Sequence, residues 1–196
     1  SARYGDVLLA VSSIMMKLLM IFSYFTDGFA YAGEALVGRY IGARDRLMLG
    51  QSVKWTFVWS MGLAILFMGI YHWAGVPMLR MMTSDPIVID ASGDYLPWLL
   101  LMPPVGCAAF TWDGIFVGAT ASKGLRDSML WAVVAFVVVW TSGIFLLDWL
   151  TAKQTVALQR YDGLAMHVLM TAYFAHLLAR TIYLSLKARK SVFSAI

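Results

Sequence analysis

Charged side chains and cysteine are scarce in this chain of 196 residues. Lysine, arginine, aspartate and glutamate together make up 13% of the sequence, whereas hydrophobic residues make up 61% and the mean hydropathy is +0.74. Soluble domains typically carry about 25% charged residues, so the composition excludes an ordinary soluble domain and indicates a polytopic membrane protein. The single cysteine, Cys107, excludes an internal disulfide and a cysteine-based metal cage.

Motifs for catalysis and nucleotide binding are also absent from the sequence. No glycine-rich run ends in Gly-Lys-Ser or Gly-Lys-Thr, so we expect no phosphate-binding loop. An intramembrane hydrolase would need a pair of acids or a His-Glu-x-x-His motif, and the sequence contains neither. We therefore predict that the protein is not an enzyme and has no catalytic residue, no metal site and no organic cofactor.

Long charge-poor stretches are present instead, and they lack the alternation with period two that is typical of barrel strands. Backbone groups in lipid must be satisfied within the segment, so we predict an all-α fold. Five transmembrane helices are expected, at 7–41, 53–75, 95–119, 129–147 and 164–186. Residues 78–94 are too polar to span and long enough for a short interfacial helix.

The chain has the features expected of a piece of a longer protein. The predicted number of spans is odd, and the first span begins almost at once, without an initiator methionine. No secretory signal is recognisable, because the first apolar stretch is far longer than the apolar region of a signal peptide.

The positive charges are concentrated in alternate loops. In one set of loops the basic residues outnumber the acidic ones: Arg39, Arg44, Arg46, Lys54, Lys123, Arg126, Lys187, Arg189 and Lys190. The other set mixes Arg3, Arg80, Lys153 and Arg160 with Asp6, Asp85, Asp90, Asp94, Asp148 and Asp162. This asymmetry predicts a multi-pass protein of the cell inner membrane with a cytoplasmic C-terminus. The net charge of +4 therefore reports topology in a lipid bilayer, and we expect no nucleic-acid partner.

Asp113 is the most informative polar residue, because it lies inside the apolar window 95–119. A charged carboxylate at membrane depth costs several kcal/mol unless it is protonated, paired or facing a water-filled cavity. Pro103 and Pro104 in the same window predict a bent helix, and a bent helix beside an acid is typical of a transport site. The structural alternative is a hydrogen bond from Asp113 to Thr111, to a tryptophan or to backbone of a neighbouring helix.

The first window predicts one polar face. Asp27 and Glu34 lie seven residues apart, so on a period of 3.6 they share a face with Tyr24 and Tyr31. Both acids are candidates for cation coupling or substrate binding.

Two charged residues have simple interfacial interpretations. Glu34 could equally pair with Arg39 or Lys54 at the cytoplasmic interface. Arg180 lies near the inner end of the fifth window, where we interpret it as a snorkelling or interfacial side chain.

Two Asp-Gly stretches carry a family resemblance. Residues 24–38 read YFTDGFAYAGEALVG and residues 113–120 read DGIFVGAT. Both stretches resemble the multidrug and toxic compound extrusion (MATE) transporters, in the branch named for DNA-damage-inducible protein F, and the resemblance runs essentially end to end.

The resemblance implies a twelve-helix transporter with two six-helix lobes, in which residues 1–196 supply helices eight to twelve. The seventh helix and the N-terminal lobe would then be missing partners. It implies an antiporter that uses H⁺ or Na⁺ to expel small organic compounds, which we expect to be cationic. Asp113 would lie on the tenth helix and Glu34 and Asp27 on the eighth, as cation-coupling or substrate-binding residues. We predict that the substrate cavity is lined by Tyr24, Tyr31 and Thr111.

Two other functions stay open at this point. A flippase for lipid-linked intermediates would share the fold but would line its cavity with more cationic residues, and Lys17 alone supports it. A structural or channel subunit of a membrane complex is the other alternative. The 13 methionines and the many aromatic residues suit a cavity that can repack around different compounds.

Overall fold

Helices make up nearly all of the residues that the computed structural model describes, which are 5–153 and 158–194. In chain order they are α1 (Asp6–Gly42), α2 (Arg46–Met82), the short α3 (Pro86–Gly93), α4 (Leu96–Gly118), α5 (Ser122–Ala152) and α6 (Leu158–Ser191). No strand occurs within these two ranges, and the all-α prediction is confirmed. Arg3, which contributes to the predicted charge asymmetry, lies outside them.

The predicted windows coincide with helices, but three of the helices, α2, α5 and α6, are much longer than predicted. α1 and α4 differ from the windows 7–41 and 95–119 by one residue at each end. α2 extends about two turns beyond 53–75 at each end, and α5 begins seven residues before 129. Hydropathy marks only the apolar part of a helix, whereas the backbone stays helical into polar sequence that favours it. The start of α2 is fixed by Asp45, whose side chain accepts a hydrogen bond from the Met48 N–H at 3.0 Å.

The polar segment between the second and third windows forms the expected short helix. α3 begins after Asp85, whose carboxylate accepts the Ile87 N–H at 2.9 Å, and Pro86 occupies the first turn. The prediction of a short helix within residues 78–94 is therefore confirmed.

Four helices, α1, α2, α4 and α5, contain a stretch that is long and apolar enough to cross a membrane. α6 is not among them, although its 34 residues would extend about 51 Å. His167, His176 and Arg180 lower its hydropathy. The fifth predicted span is therefore present as a helix, while its passage through the membrane stays a prediction.

α4 lies at the centre of the helix packing. It contacts α1 and α2 on one side and α6 on the other, and α5 packs mainly against α6. In the most apolar stretch of α4, 56% of the residues are buried, against 11% in α5. A polar residue on α4 therefore has to find its partners within the protein.

Glycines bring α1 and α4 into backbone contact. A methyl group added at Gly114 would lie 2.8 Å from the Cα of Ala30, and one at Gly118 would lie 2.9 Å from the Cα of Glu34. Two glycines at a spacing of four form the small-residue face that lets membrane helices pack closely. Asp113 precedes the first of these glycines, so the contact fixes its position between α1 and α6.

Candidate functional site

Asp113 forms an ion pair with Arg180, which joins α4 to α6. One Nη of Arg180 lies 2.8 Å from Oδ2 of Asp113, and the two side chains are only 12% and 24% exposed. Successive residues of a helix point about 100° apart, so Gly114 can face α1 while Asp113 faces α6. The interpretation of Arg180 as a snorkelling residue is wrong, because its guanidinium points inward to Asp113.

The ion pair leaves two polar atoms unmatched. Oδ1 of Asp113 and Nε of Arg180 are both buried and have no hydrogen-bond partner in the part of the chain that the structure describes. Carboxylates and guanidinium groups often form two parallel hydrogen bonds, but this pair uses only one. A buried polar atom without a partner costs about 1–3 kcal/mol. The pair is thus weaker than a matched structural salt bridge.

A second acid and two further polar side chains belong to the same cluster. Asp27 on α1 lies close enough for its charge to act on Asp113. On α6, Tyr173 and His176 lie close enough to interact with the charge of Arg180. Their rings stack on each other with centroids 6.2 Å apart. Asp27, Asp113, Tyr173, His176 and Arg180 are called the charge cluster below.

Two neutral hydrogen bonds also join α4 to α6. The Trp98 indole N–H donates to Nδ1 of His167 at 2.9 Å, and the Trp112 indole N–H donates to Oγ of Ser185 at 2.8 Å. These bonds set the register in which Asp113 meets Arg180.

The second candidate on α1, Glu34, takes no part in the ion pair. Its backbone packs against Gly118, and its side chain is half-buried. Neither Arg39 nor Lys54 forms an ion pair with it among the described residues. Asp27 is therefore near enough for its charge to act on Asp113, and Glu34 lies about two turns away from Asp27 along α1.

A cavity of about 300 Å³ lies between α1, α4, α5 and α6. Five methionines and four aromatic residues supply most of its wall: Met15, Met16, Met102, Met166, Met170, Trp98, Phe136, Tyr173 and Phe174. No charged side chain lines it. Because Tyr173 borders the cavity and also interacts with Arg180, it connects the apolar cavity to the charge cluster.

The three predicted cavity residues lie elsewhere in the bundle. Tyr24 and Tyr31 are 66% and 69% exposed on the outer face of α1. Thr111 is fully buried, with its hydroxyl 4.0 Å from Cys107 Sγ. None of the three borders the 300 Å³ cavity, so their part in a larger substrate cavity stays a prediction.

Sequence reasoning missed Arg180 and the glycine contact for different reasons. The Gly114-x-x-x-Gly118 spacing was readable as a close-packing face. Arg180 carries no comparable signal, because only the packing of α6 on α4 shows which α6 side chains face Asp113. Within the described residues no group of three histidine, cysteine or acidic side chains is placed to hold a metal ion.

Comparison with known proteins gives one family and several relatives. The MatE family matches residues 1–146. The chain is 36% identical over 135 residues to DNA damage-inducible protein F of Escherichia coli (strain K12), a match that covers 69% of this chain and 29% of that protein. It is 24% identical over 174 residues to Protein DETOXIFICATION 43 of Arabidopsis thaliana, covering 84% of this chain and 32% of that protein. No solved structure matches. The chain thus spans less than a third of the length of these relatives.

Proposed function

The chain belongs to the MatE family, as its two Asp-Gly stretches predicted, and from this premise we propose that it is part of a cation-coupled efflux antiporter. The transported compounds are small organic molecules, chiefly cations, and the coupling ion is H⁺ or Na⁺. The relative named Protein DETOXIFICATION 43 supports export of harmful compounds. Residues 1–196 supply most of the C-terminal lobe in this proposal, and the seventh helix and the N-terminal lobe complete the transporter.

One observation carries the proposal: Asp113 lies in the most buried helix, α4, with one carboxylate oxygen bonded to Arg180 and the other unmatched. Ionisable residues inside membrane helices mark ion and substrate pathways by default. The side chain of Asp113 is 24% exposed, whereas its unmatched oxygen Oδ1 is buried. In this proposal a cation reaches Oδ1 when alternating access opens the site. Asp27 provides a second acid whose charge acts on Asp113.

The outer face of α1 supports a substrate path beside this acid. Tyr24 and Tyr31 are exposed there, and Asp27 lies between them on the same face. In an antiporter that works by alternating access, such a face would line the space between the two lobes. The missing N-terminal lobe is the partner that we propose for it.

Ion gradients supply enough energy for this transport without ATP. At a membrane potential of about 100 mV and a difference of one pH unit, one entering proton releases roughly 2.3 plus 1.4 kcal/mol. This sum, about 3.7 kcal/mol, supports a gradient of about 500-fold for a neutral substrate.

The orientation that we propose follows from the distribution of charge. The ends of the helices at 39–54, 119–126 and 187–194 carry the excess of basic residues and lie at one end of the bundle, because successive long helices are antiparallel. Under the positive-inside rule this end faces the cytoplasm, with the protein in the inner membrane.

The charge cluster gives no support to the flippase. A flippase for lipid-linked intermediates needs cationic groups that face an anionic headgroup, but Arg180 is neutralised by Asp113. The 300 Å³ cavity also lacks a charged side chain.

The test is ethidium efflux from cells that express the full-length protein with Asp113→Asn. We expect efflux to fall at least tenfold, because the neutral amide cannot exchange a cation. Asp127→Asn is the matched control, since Asp127 is also an acid paired with an arginine at 2.8 Å but is exposed. Efflux that is undiminished in Asp113→Asn, at membrane levels equal to those of the control, would contradict the proposed coupling site.

A further inference from the structure

The charge cluster has two acids and one fixed cation. Asp113 and Asp27 supply the carboxylates, and Arg180 supplies the guanidinium. The facing stretches of α2 and α5, 55–70 and 128–147, contain no charged residue. With both acids ionised and the other two titratable members, Tyr173 and His176 on α6, neutral, the cluster carries one uncompensated negative charge.

Net charge inside a membrane bundle is unfavourable, so this cluster favours the entry of one more cation. The open acceptor for that cation is Oδ1 of Asp113, which has no hydrogen-bond partner in the described ranges. Arg180 has the matching donor, Nε, equally without a partner there. The ion pair can therefore close into a form with a second bond, from Nε to Oδ1, or leave Oδ1 open to another cation.

We propose that Arg180 is a positioning residue that acts as a tethered counter-cation, which keeps Asp113 ionised until the coupling cation displaces it. When the cation is a proton, it adds to Oδ1 of Asp113 and forms the neutral acid. Arg180 keeps its own proton and loses its ionic attraction to Asp113, whose carboxyl is now neutral. This weakens the contact between α4 and α6 at the cluster. The inference rests on the proposed function only in that the displacing cation is the coupling ion.

The sequence of α6 provides a matched control for this role. Lys187 lies on the same helix, seven residues after Arg180, and is exposed. Its replacement by glutamine removes the same charge at about 10 Å along the helix, without touching the ion pair.

The experiment follows the infrared band of the protonated carboxyl of Asp113 as a function of pH, in purified full-length protein in lipid. The band is assigned by its loss in Asp113→Asn. We expect Arg180→Gln to move the midpoint of the band up by about one pH unit or more, because the neighbouring positive charge disfavours the neutral acid. Arg180→Lys should restore a midpoint close to the original one, and Lys187→Gln should leave it unchanged.

A second variant keeps the inference testable if Arg180→Gln does not fold. Asp27→Asn leaves the ion pair in place and removes the other negative charge, so the midpoint should move down. An unchanged midpoint in Arg180→Gln, or in Asp27→Asn where only that variant folds, overturns the inference.

This measurement separates the two proposals. The infrared band reports protonation of Asp113 whether or not the protein transports anything. A shifted midpoint together with undiminished efflux in Asp113→Asn would contradict the proposed function and support the role of Arg180. The reverse pair of results would support the function and overturn the inference.

Discussion

Two of the polar contacts between α4 and α6 have similar lengths but differ in how completely their atoms are matched. Trp98 donates one hydrogen bond to His167 at 2.9 Å, and both groups are neutral in this contact. Asp113 and Arg180 meet at 2.8 Å, yet each has a buried polar atom that lacks a partner among the described residues.

The difference indicates what each contact is for. A neutral hydrogen bond is sufficient to hold two helices in register, and the bond from Trp98 to His167 joins α4 and α6 in this way. Buried charges add a desolvation cost that often cancels their attraction. An incompletely matched ion pair is therefore a poor device for stability and a suitable one for binding and releasing a cation.

Removing one member of the charged contact should produce the largest change in stability. We expect Asp113→Asn to lower the free energy of unfolding by about 3–5 kcal/mol, because it leaves the guanidinium buried without a partner. The double variant Asp113→Asn with Arg180→Gln should recover most of this loss, because no buried charge is left over. Thermal unfolding of the purified full-length protein, read as a double-mutant cycle, measures both effects.

The surface pair of Arg126 and Asp127 is the control for this cycle. It has the same length, 2.8 Å, but its side chains are 67% and 38% exposed. Its disruption should change the free energy of unfolding by less than about 1 kcal/mol. Equal losses at the two pairs would show that the Asp113 pair is not buried within the helix bundle as the structure indicates.

A methyl group at Gly114 should disturb the acid side of the charged contact and leave Trp98 in place. In Gly114→Ala the new Cβ would overlap the backbone of Ala30, so α1 and α4 must separate. We expect a loss of about 1–3 kcal/mol, measured by the same unfolding assay.

Gly28→Ala is the matched variant, because a Cβ at Gly28 on α1 meets no atom within 4 Å. This change should be neutral or slightly stabilising, since alanine is the better helix former by about 0.5–1 kcal/mol. If the two variants are equally stable, α1 and α4 do not approach as closely as the structure indicates.

The sequence predicted most of the fold, because long apolar stretches have few alternatives to helices in a membrane protein. It also singled out Asp113, since an acid in the window 95–119 stands out against apolar neighbours. α6 was harder to interpret. His167 and Arg180 interrupt the hydropathy, because they face α4 rather than lipid.

The partner of Asp113 could not be predicted from the sequence. Residues 113 and 180 are far apart in the chain, and their meeting depends on the helix register set by the contacts at Trp98 and Trp112. The same limit applies to the cavity: Tyr24 and Tyr31 share the face of α1 predicted by periodicity, but periodicity does not show which neighbour covers that face.

Trp98→Phe should give the smallest effect and sharpens the contrast between the two contacts. It removes the hydrogen bond to His167 and keeps an aromatic ring against Phe174, which now lies 5.2 Å from the Trp98 ring centroid. We expect a loss of about 1 kcal/mol in the free energy of unfolding, with ethidium efflux and its pH dependence unchanged. Trp131→Phe on α5 is the control, because Trp131 is 59% exposed and its replacement should have almost no effect. A change in the pH dependence of efflux in Trp98→Phe would mean that both contacts respond to the coupling cation, and the division between a structural and a functional contact would then fail.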